Sequence, residues 1–387
     1  MIKAAMVWAA VAVLAGCGAN QGLMSPNDFF AKAVMEKESG NDAAALKYFS
    51  KVTELDAMGG RAAEAHFEQG LIYQKQGKKE EALRRFELAL NLKPAFDKVL
   101  KTRGELYFKD QDYFGALQDW NRVLELSPKD AEATYQRARI KHAQGNYSLA
   151  MDDINKAIEF DPKLGKAYAL RAEIRGKLGQ KEPVLEDLNR AIALDSALFA
   201  AYQLRGFLLA AAGDFQKAIQ DFDHALHLDP RSGPVHVERA KARFTLKDYT
   251  GAVADLDDAL QNLPASAQSE VYYIRAQCKL ELKQYHQTIQ DIDQAVKLAP
   301  SAKAYYFVRG KAYYNLGKYT SAVSDHSKAI DLDRNYAAAY HDRGMSYFKL
   351  KDFSKSLQDY QTALDLDPSM ATSLRELMEK AQLELMR

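Results

Sequence analysis

Arginine and aspartate residues recur along the sequence as pairs separated by 16 residues. Eight pairs have this spacing: Arg103 and Asp119, Arg137 and Asp153, Arg171 and Asp187, Arg205 and Asp221, Arg239 and Asp255, Arg275 and Asp291, Arg309 and Asp325, and Arg343 and Asp359. The planar guanidinium group of arginine can donate two parallel hydrogen bonds to one carboxylate. The pattern therefore predicts structural ion pairs between packed helices, and a ladder of arginines that binds anions is the alternative interpretation.

Residues that could catalyse a reaction or bind a metal do not form a recognisable set. His224 and His227 are three residues apart, but no Cys or carboxylate cluster completes a metal site around them. The two cysteines, Cys17 and Cys278, are too far apart to suggest a disulfide framework or a Cys-based zinc site. Phosphate-binding glycine loops, nucleophile elbows and His-Glu metal motifs are absent from the sequence. We therefore expect no enzyme activity, no metal, no cofactor and no small-molecule substrate.

The overall charge excludes a further class of function. The chain has 387 residues, and 53 Lys and Arg residues oppose 52 Asp and Glu residues. Proteins that bind nucleic acids through their phosphates need a large excess of basic residues. An apolar fraction of 47% is sufficient for a folded core. The composition thus predicts a folded protein without a nucleic-acid partner.

The Arg and Asp pairs belong to a repeat of 34 residues that begins at Pro26. Ten repeats can be aligned, over residues 26–59, 63–96, 97–130, 131–164, 165–198, 199–232, 233–266, 269–302, 303–336 and 337–370. Residues 60–62 and 267–268 are insertions between repeats. Residues 371–387 have an apolar side with Leu374 and Leu377 and a charged side, so we expect a capping helix there.

Fixed positions within the repeat carry small or large residues. Position 8 is Gly or Ala in all ten repeats, positions 20 and 27 are mostly Ala, and position 24 is large. Small residues let two helices approach closely, while the large residue fills the space between them. Position 32 is proline in seven repeats, which ends a helix before the next repeat. Each repeat is therefore predicted to be a helical hairpin that buries its apolar face against its neighbours.

This pattern resembles the tetratricopeptide repeat family over residues 26–370. The resemblance implies an all-α fold, a right-handed superhelical solenoid of about ten helical hairpins with a concave groove. It also implies that positions 2, 5, 9, 12 and 13 of the first helices line that groove. The aromatic residues at those positions are Phe30, Phe67, Phe108, Tyr135, Phe207, Phe244, Tyr273, Phe307, Tyr314 and Phe348. As a set they predict a surface that anchors segments of partner proteins, although some of them could instead pack as core.

The N-terminal residues have the features of a bacterial export signal. A basic start at Lys3 precedes an apolar run over residues 4–14, which is shorter than the ~20 residues of a membrane-spanning helix. The sequence Leu-Ala-Gly-Cys that ends at Cys17 resembles the lipobox of bacterial lipoproteins. That resemblance implies a signal peptide over residues 1–16, acylation (palmitate) at Cys17, and a short tether over residues 17–25. Gly18 in place of Asp favours the outer membrane.

The combined predictions describe a non-catalytic scaffold of the bacterial cell envelope. Its lipid anchor would hold it at the membrane, facing the periplasm, and its groove would bind other envelope proteins. A cytosolic scaffold or co-chaperone is the alternative if the N-terminal residues do not form an export signal.

Overall fold

The structure is a computed structural model that describes residues 24–180 and 182–386. Within those residues, the regular elements are 21 α-helices and two short 3₁₀ helices, with no strand. The helices are α1 (Pro26–Glu38), α2 (Asp42–Leu55), α3 (Gly60–Lys75), α4 (Lys79–Leu92), α5 (Asp97–Lys109), α6 (Tyr113–Leu126), α7 (Ala131–Ala143), α8 (Tyr147–Phe160), α9 (Gly165–Lys177), α10 (Glu182–Leu194), α11 (Phe199–Ala211), α12 (Phe215–Leu228), α13 (Gly233–Thr245), α14 (Tyr249–Asn262), α15 (Gln268–Glu281), α16 (Tyr285–Leu298), α17 (Lys303–Asn315), α18 (Tyr319–Leu332), α19 (Ala337–Lys349), α20 (Phe353–Leu366) and α21 (Ala371–Met386).

The chain divides into two compact units, one ending at Leu178 and one beginning at Gly179. In the first unit, the helices from α1 to α8 form four successive hairpins, and α9 packs on α8. In the second unit, α10 packs on α11, the helices from α11 to α20 form five successive hairpins, and α21 packs on α20. Each hairpin also contacts the next one within its unit. The predicted all-α fold of stacked helical hairpins is confirmed.

The two insertions between repeats are absorbed in different ways. Residues 60–62 do not form a separate connection but the first turn of α3, where Ala62 is fully buried. Residues 265–267 form a 3₁₀ turn, and α15 then begins at Gln268. The side chain of Gln268 donates hydrogen bonds to the carbonyl oxygens of Leu260 and Leu263, which fixes this turn against the end of α14.

Position 15 of the repeat reverses the chain between the two helices of a hairpin. All ten residues at this position have φ between 60° and 84°, a left-handed conformation that favours glycine. Six of them are glycine, and the other four are Gln111, Lys247, Lys283 and Lys351. An aspartate or asparagine often follows; Asp112 and Asp248, for example, accept a hydrogen bond from the backbone N–H three residues later and cap the second helix.

The hairpin core depends on a match between positions 8 and 24. Where position 8 is glycine, an aromatic ring at position 24 lies directly against the glycine backbone. A Cβ atom added to Gly206 would come within 2.6 Å of the Phe222 ring, and one added to Gly344 within 2.7 Å of Tyr360. Where position 24 is the smaller Ile154, Leu256 or Ile292, position 8 is alanine. In nine of the ten repeats the two positions therefore share one volume inside the hairpin, and the first repeat, with Ala33 and Phe49, is the exception.

Candidate protein-binding surface

The predicted Arg and Asp residues meet between the two helices of a hairpin. The guanidinium group of Arg205 donates from Nε and Nη2 to the two carboxylate oxygens of Asp221, at 2.7 Å each. In six further pairs the arginine also donates from Nε and Nη2 to the carboxylate of its aspartate. These pairs are Arg103 with Asp119, Arg137 with Asp153, Arg239 with Asp255, Arg275 with Asp291, Arg309 with Asp325, and Arg343 with Asp359. These aspartates are buried. The hydrogen bond to Asp221 raises the pKa of Arg205 above its ordinary value.

Except for Arg103, these arginines also bind a second partner, which the residue pattern did not predict. Arg205 Nη1 donates to Asn189 at 2.7 Å, and Arg309 Nη1 donates to Asp293 at 2.7 Å. Each partner is position 25 of the preceding repeat, and the further examples are Asn121, Asn155, Asp223, Asp257 and Ser327. Each of these arginines therefore links two hairpins. Six of the seven arginines with a described aspartate partner have both contacts, and this geometry favours the structural interpretation over anion binding.

Arg171 and Asp187 complete the predicted set. Arg171 lies on α9 and donates a hydrogen bond to Asn155 at 3.2 Å, while Asp187 is buried on α10. The first two repeats lack both members of the pair and use other contacts. Gln69 there donates to Ser50, at position 25 of the preceding repeat, at 3.1 Å.

The aromatic residues predicted for the groove are mostly half-buried. The half-buried residues are Phe30, Phe108, Tyr135, Phe207, Phe244, Tyr273, Phe307, Tyr314 and Phe348. Phe67 differs, because it is buried between the rings of Phe86 and Phe96 and belongs to the core. Phe244 and Phe348 also pack edge-on against Tyr249 and Phe353 across their hairpin turns, with ring centroids 5.3 Å apart. Phe67 therefore packs as core, whereas the other members keep part of their apolar surface exposed, and their role in binding stays a prediction.

Three cavities follow one another between successive first helices of the second unit. Cavity 1, of about 360 Å³, lies between α13 and α15 and includes Phe207, Val237 and Val271. Cavity 2, of about 260 Å³, lies between α15 and α17 and includes Phe244, Tyr273 and Phe307.

Cavity 3, of about 400 Å³, lies between α17 and α19 and includes Phe307, Tyr314 and Met345. Five of the predicted groove aromatics thus line cavities, and Phe348 lines none of the three. The sequence signal for these cavities was the aromatic residues at positions 5, 9 and 12. Their depth depends on the distance between neighbouring helices and could not be read from that signal.

The corresponding surface of the first unit has a different character. Its aromatic rings are covered by cations: the Arg139 guanidinium lies 4.0 Å from the Phe108 ring centroid, and Lys166 Nζ lies 4.8 Å from that of Tyr135. Burial raises the pKa of Tyr135 to about 12. Ion pairs connect neighbouring first helices, for example Lys166 with Glu132 at 2.6 Å. The second unit has similar contacts, Lys311 with the Phe307 ring at 5.7 Å and Lys241 with Glu270 at 3.1 Å, but its first helices also leave open apolar cavities between them.

The remaining candidate residues have structural positions. Cys278 is fully buried, and burial raises the pKa of its thiol to about 12. His224 stacks on Tyr202, with ring centroids 5.0 Å apart. His326 is fully buried, and burial lowers its pKa to about 4.

Within residues 24–180 and 182–386, no group of three or more His, Cys, Asp or Glu residues could hold a metal ion. In the same part of the chain, none of the helices combines the length and the apolar character needed to cross a membrane. Cys17, the predicted lipid attachment site, lies outside the described residues.

Comparison with known families identifies the repeats. Profiles described as tetratricopeptide repeat match residues 63–96, 101–164, 199–232, 269–301 and 337–370, and one described as TPR repeat matches residues 310–351. Together these ranges cover more than half of the chain, and each contains at least one predicted helix of a hairpin. No curated protein matches the chain.

Several solved structures are similar to the chain at low sequence identity. YrrB, described as a TPR protein with an unusual peptide-binding site, is 20% identical with a TM-score of 0.44, over 50% of this chain and 98% of that chain. Yeast Tom70 is 15% identical with a TM-score of 0.40, over 93% of this chain and 96% of that chain. A chain of the APC/C hetero-tetramer Cut9–Hcn1 is 14% identical with a TM-score of 0.46, over 93% and 84%.

Proposed function

Because the chain belongs to the tetratricopeptide repeat family, we propose that it is a non-catalytic scaffold that binds segments of partner proteins along the first helices of its repeats. We also propose that it works in the bacterial cell envelope, held at the membrane by a lipid on Cys17. The partners would then be other envelope proteins.

One observation carries the binding proposal: the succession of three cavities in the second unit, walled by half-buried aromatic rings. Such rings are already ordered by their packing and still expose apolar surface. A partner side chain that enters a cavity removes this surface from water at little cost in side-chain entropy. Buried aromatic residues of this kind dominate the binding energy of many protein interfaces.

The location rests on the sequence of the first 17 residues. An acylated Cys17 would be separated from the start of α1 at Pro26 by eight residues. A flexible linker of that length has a root-mean-square span of about 15–17 Å. The repeats would consequently stay close to the membrane surface, where segments of other envelope proteins are accessible.

Photo-cross-linking tests the binding surface. A benzoylphenylalanine at position 207 or 244, inside the cavities, is expected to capture a discrete partner in envelope preparations. The matched control replaces Phe114, a phenylalanine of α6 that is 72% exposed and lines none of the three cavities. Capture from position 207 should be lost in a Phe244→Ala/Phe307→Ala variant whose helix content is unchanged. Unchanged capture in that variant would refute binding through the cavities.

Membrane fractionation tests the location. The native chain is expected in the membrane fraction in its acylated form. A Cys17→Ala variant is expected without the lipid, either in the soluble fraction or as the uncleaved precursor. A Cys278→Ala variant is the control, since it removes the other cysteine of the chain. If the native chain is soluble and carries no lipid by mass spectrometry, the cytosolic scaffold replaces the envelope protein as the better proposal.

A further inference from the structure

Cavity 3 contains a carboxylate at a position that is apolar in other repeats. Position 6 of the first helix is buried as Leu170, Ile274 and Val308 in three repeats, whereas the last repeat has Asp342 there. Asp342 is just as buried, with 8% of its surface exposed, and it lines cavity 3. A buried carboxylate destabilises a fold unless hydrogen bonds or an opposite charge compensate it. Asp342 therefore needs partners that an apolar residue would not need.

The protein itself supplies only part of this compensation. Oδ1 of Asp342 accepts a hydrogen bond from Nδ1 of His341 at 2.7 Å, but no described residue donates to Oδ2. His326 also lines the cavity, and it is the only histidine at position 24 of the ten repeats. Burial lowers the pKa of His326 to about 4, so its ring is neutral at pH 7 and does not balance the carboxylate. One oxygen of Asp342 is thus free to accept a hydrogen bond from a ligand.

A positive charge lines the same cavity from the other helix. Lys311 lies on α17 and Asp342 on α19, and these two helices contact each other. Nζ of Lys311 lies 5.7 Å from the Phe307 ring centroid, and none of the described carboxylates pairs with it. After burial, both the Asp342 carboxylate and the Lys311 ammonium act on the pKa of His326. The two charges therefore lie near the same wall of the cavity without forming an ion pair.

Cavity 1 shows the same two repeat positions with their charges already paired. Glu238 at position 6 and Lys241 at position 9 lie on one helix, α13, and pair at 3.0 Å. Lys241 also pairs with Glu270 at 3.1 Å. In cavity 3 the carboxylate and the ammonium are instead on two helices with open space between them. That arrangement complements a molecule that itself has both an ammonium and a carboxylate group.

The rest of cavity 3 suits an apolar side chain. Its volume is about 400 Å³, within the range of about 300–1,000 Å³ that is typical of small-molecule sites. Its apolar lining comes from Phe307, Tyr314, Ala338, Met345 and Met370. Methionine side chains are flexible and adapt to the shape of an apolar group. The cavity therefore combines two separated charges with an adaptable apolar wall.

We propose that cavity 3 binds a free α-amino acid with an apolar side chain. Its ammonium group would donate to Oδ2 of Asp342, its carboxylate would pair with Lys311, and its side chain would pack on the apolar wall. This goes beyond the proposed function, which concerns segments of partner proteins. The amino acid would be bound without being converted, as expected of a non-catalytic protein.

Three related ligands test the proposal by isothermal titration calorimetry on the folded full chain. L-phenylalanine has both charges, N-acetyl-L-phenylalanine lacks the ammonium group, and L-phenylalaninamide lacks the carboxylate. We expect L-phenylalanine to bind at least tenfold more tightly than either derivative. Equal binding of the amide would instead indicate a site for the N-terminal residue of a peptide and would overturn the proposal. Absence of binding by all three would overturn it as well.

Variants at the two charges test which group binds which end of the ligand. Asp342→Leu and the isosteric Asp342→Asn should each weaken L-phenylalanine at least tenfold. Asp342→Leu should not lower the melting temperature, because leucine occupies the same position at Leu170. Lys311→Met should weaken L-phenylalanine at least tenfold and leave the affinity for the amide unchanged.

The matched control is Lys241→Met, which removes the lysine at the same repeat position in cavity 1. It should alter the affinity for L-phenylalanine less than twofold. Equal effects of the two lysine variants, or full binding by Asp342→Asn, would overturn the proposal.

Failure of this proposal can be separated from failure of the proposed function. The photo-cross-linking positions 207 and 244 line cavities 1 and 2 and not cavity 3. Capture of a partner from those positions would support protein binding even if no amino acid binds. Binding of L-phenylalanine without any capture would support cavity 3 alone.

Discussion

Arg309 and Asp325 join the two helices of one hairpin through two hydrogen bonds of 2.7 Å. A third bond of the same length connects Arg309 to Asp293 of the hairpin before it. The guanidinium group thus contributes both to the fold of a repeat and to its attachment to its neighbour. The ladder of such arginines provides polar connections that accompany the apolar stacking.

Removal of a buried aspartate should be costly. Asp221→Ala leaves Arg205 half-buried without its carboxylate, and we expect a loss of about 3–5 kcal/mol in the free energy of unfolding. Denaturant titration followed by circular dichroism measures it. The control is Asp223→Ala, whose carboxylate is 51% exposed and pairs with Arg239, and which should cost about 0.2–1 kcal/mol. An unchanged melting temperature for Asp221→Ala would show that the buried pair does not stabilise the hairpin.

His326 should make the second unit sensitive to acid. Burial lowers its pKa from 6.5 to about 4. Between pH 4 and pH 6.5 the His326 side chain is therefore protonated in the unfolded chain and neutral in the folded chain. The stability contribution is therefore present above pH 6.5 and is lost as the pH falls towards 4, by about 3 kcal/mol in total. Urea midpoints at pH 7 and pH 5 measure this loss.

His326→Phe should remove that acid sensitivity. Phe222 occupies the same position against Gly206, which shows that a phenylalanine ring fits beside a glycine there. Neither ring nitrogen of His326 has a hydrogen-bond partner among the described residues, so the substitution should also add about 1–3 kcal/mol at pH 7. If the stability of the variant depends on pH as that of the native chain does, the acid sensitivity comes from a group other than His326.

The match between positions 8 and 24 predicts a non-additive pair of substitutions. Gly206→Ala brings a methyl group within 2.6 Å of the Phe222 ring and should cost about 1–3 kcal/mol through overpacking. In the double variant Gly206→Ala/Phe222→Leu, the smaller leucine leaves space for the alanine methyl group. The same combination of alanine and leucine is found at Ala240 and Leu256. A double-mutant cycle should give a favourable interaction energy. Additive effects would show that the two side chains do not share one volume.

At position 15 of the repeat, introducing a glycine and removing one should have opposite effects on stability. Lys283 has φ 60°, so Lys283→Gly should relieve backbone strain and stabilise the chain by about 0.5–1 kcal/mol. Gly317 has φ 73° and no atom within 4 Å of an added Cβ, so Gly317→Ala should destabilise by a similar amount for backbone reasons alone. Thermal unfolding of both variants checks the sign. Two shifts in the same direction would contradict a backbone origin.

The sequence alone determined the repeat, its two helices and the residues that occupy each position. This was possible because the helices, their turns and the partnership of Arg205 with Asp221 form within one hairpin of 34 residues, where spacing fixes geometry. The sequence did not determine the second partner that most of these arginines have, such as Asn189 for Arg205, or the burial of Phe67 between Phe86 and Phe96. It also did not separate the paired, polar surface around Phe108 from the open cavities around Phe244.

Those features arise where one hairpin packs on the next. They depend on the distance and rotation between neighbouring hairpins, which result from many weak contacts between side chains far apart in sequence. The residue pattern specifies which groups face a neighbour, and only the tertiary packing decides how closely they approach and what space remains between them.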